Sequence, residues 1–185
     1  MESFPTLRTE RLILRAFTLQ DAPTVRRLAG VREVAEMIYP IPYPYEDGVA
    51  EEWIASHRPA YEAGEAITLA VTLREGGTLC GAIELTINPK DVNAEIGYWL
   101  GVPYWGRGYA TEAAREIVRY GFEKLGLHRI HSGHFARNPA SGRVLRKIGM
   151  SYEGTRREHL RKLGRFEDYV QYGLLARDWP SSARR

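Results

Sequence analysis

The sequence predicts a mixed α/β (α+β) fold: one mostly antiparallel sheet of about seven strands, with helices on both faces. Three observations predict it. Segments rich in β-forming residues recur along the chain, bounded by glycine, proline and asparagine. Two of them, 94–100 and 129–136, flank a long stretch of helical period, so they should run parallel. The others are joined by short connections such as Glu75-Gly76-Gly77 and Lys162-Leu163-Gly164, the signature of hairpins.

Arg11-Leu-Ile-Leu-Arg15 reads as the first strand, apolar in the middle and charged at its ends. Asp21 precedes a helical stretch from Ala22 to Gly30 as its N-cap. Met37 to Tyr45 holds three prolines, which remove donors and fix φ, so it is no regular helix. Glu46 and Asp47 start a second helix through Trp53 and Ile54, ending near Pro59. Ile67–Leu73 and Thr78–Ile87 form a hairpin, and Ala94–Leu100 follows as a further strand. From Gly108 to Leu125, residues Ala110, Ala113, Ala114, Ile117, Val118, Gly121 and Leu125 share one helical face. Gly126 is its stop. Arg129–Ala136 is a strand, Ser141–Ile148 a short helix, and Met150–Leu160 with Phe166–Ala176 the last two strands.

At 185 residues the chain fits a single domain spanning 1–185, with a core of about 7–179. Apolar (44%) and charged (26%) fractions suit a soluble protein with a real core. No apolar run approaches the roughly 20 residues that cross a bilayer, so no membrane partner is expected. Met-Glu-Ser-Phe-Pro-Thr is not a secretory signal. Cys80 is the sole cysteine, which suits a reducing cytoplasm. The net charge of +3 is uneven: Arg156, Arg157, Arg161, Lys162 and Arg165 cluster, and Arg184 and Arg185 end the chain. A solvated surface is the plain reading, and a rim attracting an anionic ligand or acidic partner the functional one. No helix carries a continuous basic stripe, so nucleic acid is not an expected partner.

The most informative stretch runs from Glu95 to Ala113, where a strand enters a glycine loop that opens a long helix. Gly106 and Gly108 lack Cβ atoms and admit a ligand close to the backbone. The first helical amides are unpaired at the positive end of the helix dipole, which favours a phosphate or pyrophosphate. A nucleotide P-loop would need Gly-Lys-Ser/Thr, which is absent. A dinucleotide fingerprint would need a third glycine where Thr111 stands and an acidic residue near His128. A lone Gly-x-Gly is otherwise a packing turn.

The wording Gly97-Tyr-Trp-Leu100 followed by Tyr104-Trp-Gly-Arg-Gly-Tyr-Ala-Thr-Glu-Ala113 resembles the acetyl-CoA pyrophosphate loop of the GNAT superfamily, in its RimJ/RimL-like branch. Thr9-Glu-Arg-Leu-Ile-Leu-Arg15 with Asp21, Ile41-Pro-Tyr-Pro-Tyr45 with Trp53-Ile54, Phe122 to Ile130, Asn138 to Gly149, Glu153-Gly154, Asp168 and Trp179 continue the likeness over roughly residues 7 to 179. Trp105 departs from the superfamily pattern, where Gln or Arg begins the loop.

The resemblance implies a GNAT fold whose two parallel strands splay apart. It implies acetyl-CoA as co-substrate and transfer of acetyl to a primary amine. The acceptor would be a protein or peptide N-terminal α-amine, ribosomal-protein-like, or a small-molecule amine. The pyrophosphate would rest on the turn of Trp105, Gly106, Arg107, Gly108, Tyr109, Ala110 and Thr111. The pantetheine arm would pair with the backbone from Trp99 through Leu100 to Val102 as an added strand. Asn138 would hydrogen-bond the arm, although Asn-Pro is equally a turn. Leu145 stands where many members place the tyrosine that protonates the leaving thiolate, and Ser141 is the branch-like alternative. Ser141 also suits a helix N-cap. A base could be Glu95 on the central strand, Glu84 on the preceding one, Glu158 on a late strand, or a water. Tyr39, Tyr43 and Tyr45, with Glu84, would wall the acceptor pocket. His128, His131 and His134 alternate faces in a strand, so no metal site is expected. The final strand and exposed edges would serve a homodimer. The rival readings are an acetyl-CoA sensor without turnover and a basic nucleic-acid-binding module.

Overall fold

The computed structural model describes residues 4–180, so the terminal Arg184 and Arg185 lie outside the described residues. The strands are β1 (Leu7–Arg8), β2 (Leu12–Arg15), β3 (Ala66–Leu73), β4 (Leu79–Asn88), β5 (Asn93–Leu100), β6 (Arg129–Phe135), β7 (Ser151–Lys162) and β8 (Arg165–Leu175). The helices are α1 (Ala22–Ala29), α2 (Arg32–Ala35), α3 (Val49–Glu62), α4 (Tyr109–Glu123) and α5 (Pro139–Lys147). The strands form one eight-stranded sheet in the order β1-β2-β3-β4-β5-β6-β8-β7. The expected count of about seven missed β1, a two-residue edge strand with no periodicity to reveal it. Of the sheet's pairings only β5–β6 is parallel, as the α4 crossover requires.

Helices cover both faces of the sheet. One core joins α4 and α5 to Leu69, Ile83, Leu85, Ile96 and Ile130, and the other joins α1 and α3 to Ala70, Ala82 and Trp99. Helix α4 buries Ala113, Ala114, Ile117, Val118 and Gly121. Its larger apolar side chains each contribute about 1.5–3 kcal/mol by leaving water. Small residues let it sit low: a Cβ at Gly121 would lie 2.8 Å from Ile130 Cδ1. Gly126 (φ +67°) ends the turn, with Leu127 N–H returning to Gly121 O at 3.1 Å.

Three expected caps are otherwise. Asp21 gives α1 no side-chain cap. Its carboxylate instead takes both Arg15 Nη atoms at 2.8 Å and Thr18 N–H at 2.9 Å, because a bidentate guanidinium outcompetes one amide. Gly48 (φ +87°) caps α3, while Asp47 pairs with Arg26 and Pro59 falls inside the helix. Asn138 caps α5, accepting from Ser141 N at 3.3 Å, so the helix starts at Pro139 and Ser141 sits inside its first turn.

The β5–β6 ladder consists of Asn93↔Arg129, Ala94↔Ile130 and Glu95↔His131. Beyond that point each strand follows its other neighbour, β5 along β4 and β6 along β8. The sheet therefore opens a V between them.

His57 on α3 is buried against Trp53 and Phe17, and neither ring nitrogen has a hydrogen-bond partner among the described residues. Burial pulls its pKa down to about 4, partly offset by the charge of Glu84. The unfolded chain therefore takes up this proton first, and stability is lost as pH falls from about 6.5 toward 4. The loss is about 3 kcal/mol. We expect His57→Phe to flatten the fall of melting temperature over that interval, measured by calorimetric scans at stepped pH.

Candidate active site

The first wall is the loop from β5 into α4. Gly106 and Gly108 take φ +73° and +80°, and a Cβ at Gly106 would meet nothing within 4 Å. The first intrahelical bond runs from Glu112 N to Gly108 O at 3.1 Å. The amides of Tyr109, Ala110 and Thr111 thus have no acceptor inside the helix and face an anion's approach. Glu112 holds this turn to the sheet edge. Its carboxylate accepts from Thr9 Oγ1 (2.6 Å), Arg11 N (2.8 Å) and Arg11 Nε (2.7 Å). Partial burial would raise its pKa, and these donors outweigh that and lower it. Arg11 also reaches Arg107 O at 3.1 Å and lies over the Tyr109 ring. Trp105 Nε1 donates to Leu100 O at 2.7 Å, tying the loop back to β5.

The second wall is the exposed edge of β5 inside the V. Ser132 Oγ donates to Ile96 O at 2.7 Å and Trp105 to Leu100 O, so both carbonyls face the gap. Strand alternation then places the main-chain groups of Tyr98 there too. Trp99 does not share this edge: its carbonyl lies toward Gly81 of β4, and its side chain is buried in the α1–α3 core. Val102 lies in a short 3₁₀ turn just beyond the strand.

Across the V stands the first turn of α5. Ser141 Oγ lies 2.8 Å from Tyr98 Oη, which also donates to Ser141 O at 3.2 Å. Burial drives the Tyr98 pKa upward despite Ser141's hydrogen bond, so the resting phenol is protonated. Asn138 Oδ1 is engaged as the α5 cap, while its Nδ2 donates to no group among the described residues.

These walls meet a cavity of about 720 Å³. It brings together Glu84, Glu95, Tyr39, Tyr45, Tyr98, Trp99, Asn138 and Ser141. Glu84 is held by Thr68 Oγ1 at 2.5 Å and Thr86 Oγ1 at 2.8 Å. Glu95 accepts from Tyr169 Oη at 3.2 Å and lies opposite His131, whose pKa is lowered first by burial. The Tyr169 ring fills the space a side chain would need at Gly133, where a Cβ would lie 2.3 Å from it. Tyr43 lines a separate depression with Pro23, Arg26 and Arg27. Glu158 lies outside the cavity too: the irregularity between Arg156 and Leu160 gives it φ +49°, and its amide bonds Asp168 Oδ1 at 2.8 Å.

Lys162, read in the sequence as one of a surface run, is buried instead. Its Nζ donates to Ile38 O (2.8 Å), Tyr39 O (3.0 Å) and Ile41 O. All three ammonium donors are thereby used. Arg137 adds Glu36 O, Met37 Sδ (3.3 Å) and Glu167 Oε1 (2.9 Å). The proline-rich segment is thus strapped across the cavity to the far side of the V.

Residues 11–151 match the family described as the acetyltransferase (GNAT) domain. The chain belongs to this family. The GNAT protein is 33% identical over 173 residues to the N-acetyltransferase YoaA of Bacillus subtilis, covering 93% of this chain and 97% of that one. A GNAT-family acetyltransferase structure from Bacillus anthracis superposes with a TM-score of 0.83 at 27% identity, over 94% of this chain and 99% of that one. The ribosomal protein uS5-alanine N-acetyltransferase of Escherichia coli is 31% identical over 84 residues, 45% of this chain and 43% of that one. This protein is an N-acetyltransferase whose relatives include ribosomal-protein acetyltransferases. Among the described residues no cluster of His, Cys, Asp and Glu could hold a metal ion, and no helix is long and apolar enough to cross a membrane.

Removing the Lys162 ammonium strands three buried carbonyls and frees the strap. Lys162→Met is expected to raise KM for the acceptor about tenfold. It should leave acetyl-CoA affinity unchanged in titration calorimetry, because none of these strap bonds reaches the Gly106–Gly108 turn.

Proposed function

We propose that this protein transfers the acetyl group of acetyl-CoA to a primary amine, foremost the α-amine of a protein or peptide N-terminus. The observation that carries the reading is the V between β5 and β6, with free helix amides at its outer end and the Tyr98–Ser141 pair at its inner end. A diphosphate suits the α4 amides of the Gly106–Gly108 turn. An amide-bearing arm suits the free edge of β5 at Tyr98 and Leu100. The thioester carbonyl then lies within reach of the Leu100 amide, which stabilises negative charge as it develops on oxygen.

The amine attacks from the cavity. Its nitrogen bonds to the carbonyl carbon as the C–O electrons move onto oxygen. The ammonium so formed gives its proton to Glu95 or Glu84, directly or through water. On collapse the C–S bond breaks, the thiolate takes the Ser141 hydroxyl proton, Tyr98 passes its own to Ser141, and the proton taken up by the glutamate returns to Tyr98 through water. Tyr98 is the residue that sequence reasoning missed. It supplies the phenol that Leu145, buried in the core, cannot, but from β5 rather than from α5. An α-amine has a pKa of about 8, so an appreciable fraction is already neutral at pH 7 and needs no strong base. That, and the uS5-alanine relative, favour an N-terminal acceptor over a lysine side chain.

Thiol release from acetyl-CoA over a panel of N-terminal peptides and small amines tests the reading. Ser141→Ala and Tyr98→Phe should each lower kcat about 10- to 100-fold. The double variant should be little worse than the poorer single, because the two hydroxyls act as one relay. Gly108→Val forces a β-branched residue into a left-handed turn and should abolish coenzyme A binding in calorimetry. Ser141→Ala should keep it. Binding without turnover of any amine would leave an acetyl-CoA sensor, and no binding at all would remove the proposal.

A further inference from the structure

The cavity carries charge of both signs at separate places. Glu84 and Glu95 supply carboxylates on β4 and β5. Arg156 on β7 is the one Arg or Lys among the described residues that lines the cavity. The other cations nearby are committed. Arg137 and Lys162 hold the strap, and Arg129 pairs bidentately with Glu153 at 2.6 and 2.5 Å. Arg156 makes no ion pair among the described residues. Its hydrogen-bond partner is an imidazole, with Nη1 lying 3.2 Å from His159 Nε2. Because the guanidinium must donate, that ring nitrogen accepts and the other is left as a second donor. His159 lines the cavity as well, and its ring centroid lies 6.2 Å from that of Tyr169.

Tyr169 separates the two charges. It faces Arg156 in the β7–β8 register, and its hydroxyl donates to Glu95 at 3.2 Å. The carboxylates are thus tied into hydroxyl networks at the sheet, and an uncompensated guanidinium stands on the hairpin side. A cavity built only to accept a cationic amine has no use for that guanidinium, which would repel the substrate. A cavity built for a molecule with both charges needs it, since Glu84 and Glu95 would otherwise repel the anionic end.

Resting on the acetyltransferase reading, we propose that the acceptor carries an anionic group on the same molecule as its amine, with the amine at Glu84 and Glu95 and the anion at Arg156 and His159. The anion is a carboxylate or phosphate. Its source is either an acidic residue next to a peptide N-terminus or the acid group of a free amino compound.

Four matched acceptors and one phosphorylated probe test this, with thiol release from acetyl-CoA as the readout. Peptide amides Ser-Glu-Ala and Ser-Gln-Ala form one pair, and an amino acid and its carboxamide the other. Ser-phosphoserine-Ala amide probes phosphate. We expect kcat/KM for the acidic member of one pair to exceed its neutral partner at least tenfold, and to fall with added salt. The pair that shows the preference identifies the source, and the phosphopeptide ranks phosphate against carboxylate. In Arg156→Gln the acid-to-neutral ratio should drop to about one, whereas Arg156→Lys should retain part of it. A melting temperature close to that of the parent establishes that both variants fold. Equal rates within both pairs, or a preference untouched in Arg156→Gln, would overturn the inference while leaving acetylation of neutral amines intact. Release from no acceptor would overturn the acetyltransferase reading and this inference with it.

Discussion

The structure depends on the loss of hydrogen-bonded pairing between two strands at the middle of the sheet. β5 and β6 start as an ordinary parallel pair and stay together for three residues. Each then keeps only its neighbour on the far side: β5 pairs with β4 through Leu100, and β6 with β8 through Phe135. An antiparallel ladder on one flank sets the twist of each strand, and the two twists carry the strands apart. Main-chain groups left along β5 must be satisfied, since buried orphans are costly. Ser132 and Trp105 satisfy two carbonyls from the side. What remains is a strand edge whose main-chain groups at Tyr98 face the gap, bounded by a helix N-terminus.

That opening would be wider still were it not partly covered. The roof is the segment from Met37 to Tyr45, whose prolines prevent it from forming its own ladder. Its carbonyls therefore need donors from elsewhere, and Lys162 and Arg137 provide them. These cations thus do here what backbone amides do in a sheet. Lys162 belongs to β7, so its three bonds to the roof form only when the β7–β8 hairpin has joined the sheet.

Much of this was legible from local chemistry. The α4 helix was readable because its apolar spacing and its terminal glycine agree, and its buried face is the one the spacing predicts. The hairpins were readable from their glycine turns. The caps of α1 and α3 were not, because Asp21 and Asp47 found arginines that no local pattern links to them. The site divides in the same way. The glycine turn and Ser141 lie in contiguous motifs. Tyr98 and Ser141 meet across 43 positions, Arg11 and Glu112 across 101, and Lys162 and Ile38 across 124. Nothing in the wording of one segment names its partner in the other. Glu158 differs: Arg156 and His159 beside it line the cavity, and the irregular stretch of β7 leaves Glu158 outside it.

Gly133 looks like a plain position in the middle of β6, distant from any chemistry. Its absent side chain is the space in which the Tyr169 ring rests, 2.3 Å from where a methyl group would stand. Even alanine would evict the ring, and the phenol would release its carboxylate neighbour. A single hydrogen atom on one strand therefore decides whether the Tyr169 hydroxyl can reach a glutamate on the next strand. The hydrogen bonding of the cavity thus depends on a residue that contributes no side chain to it.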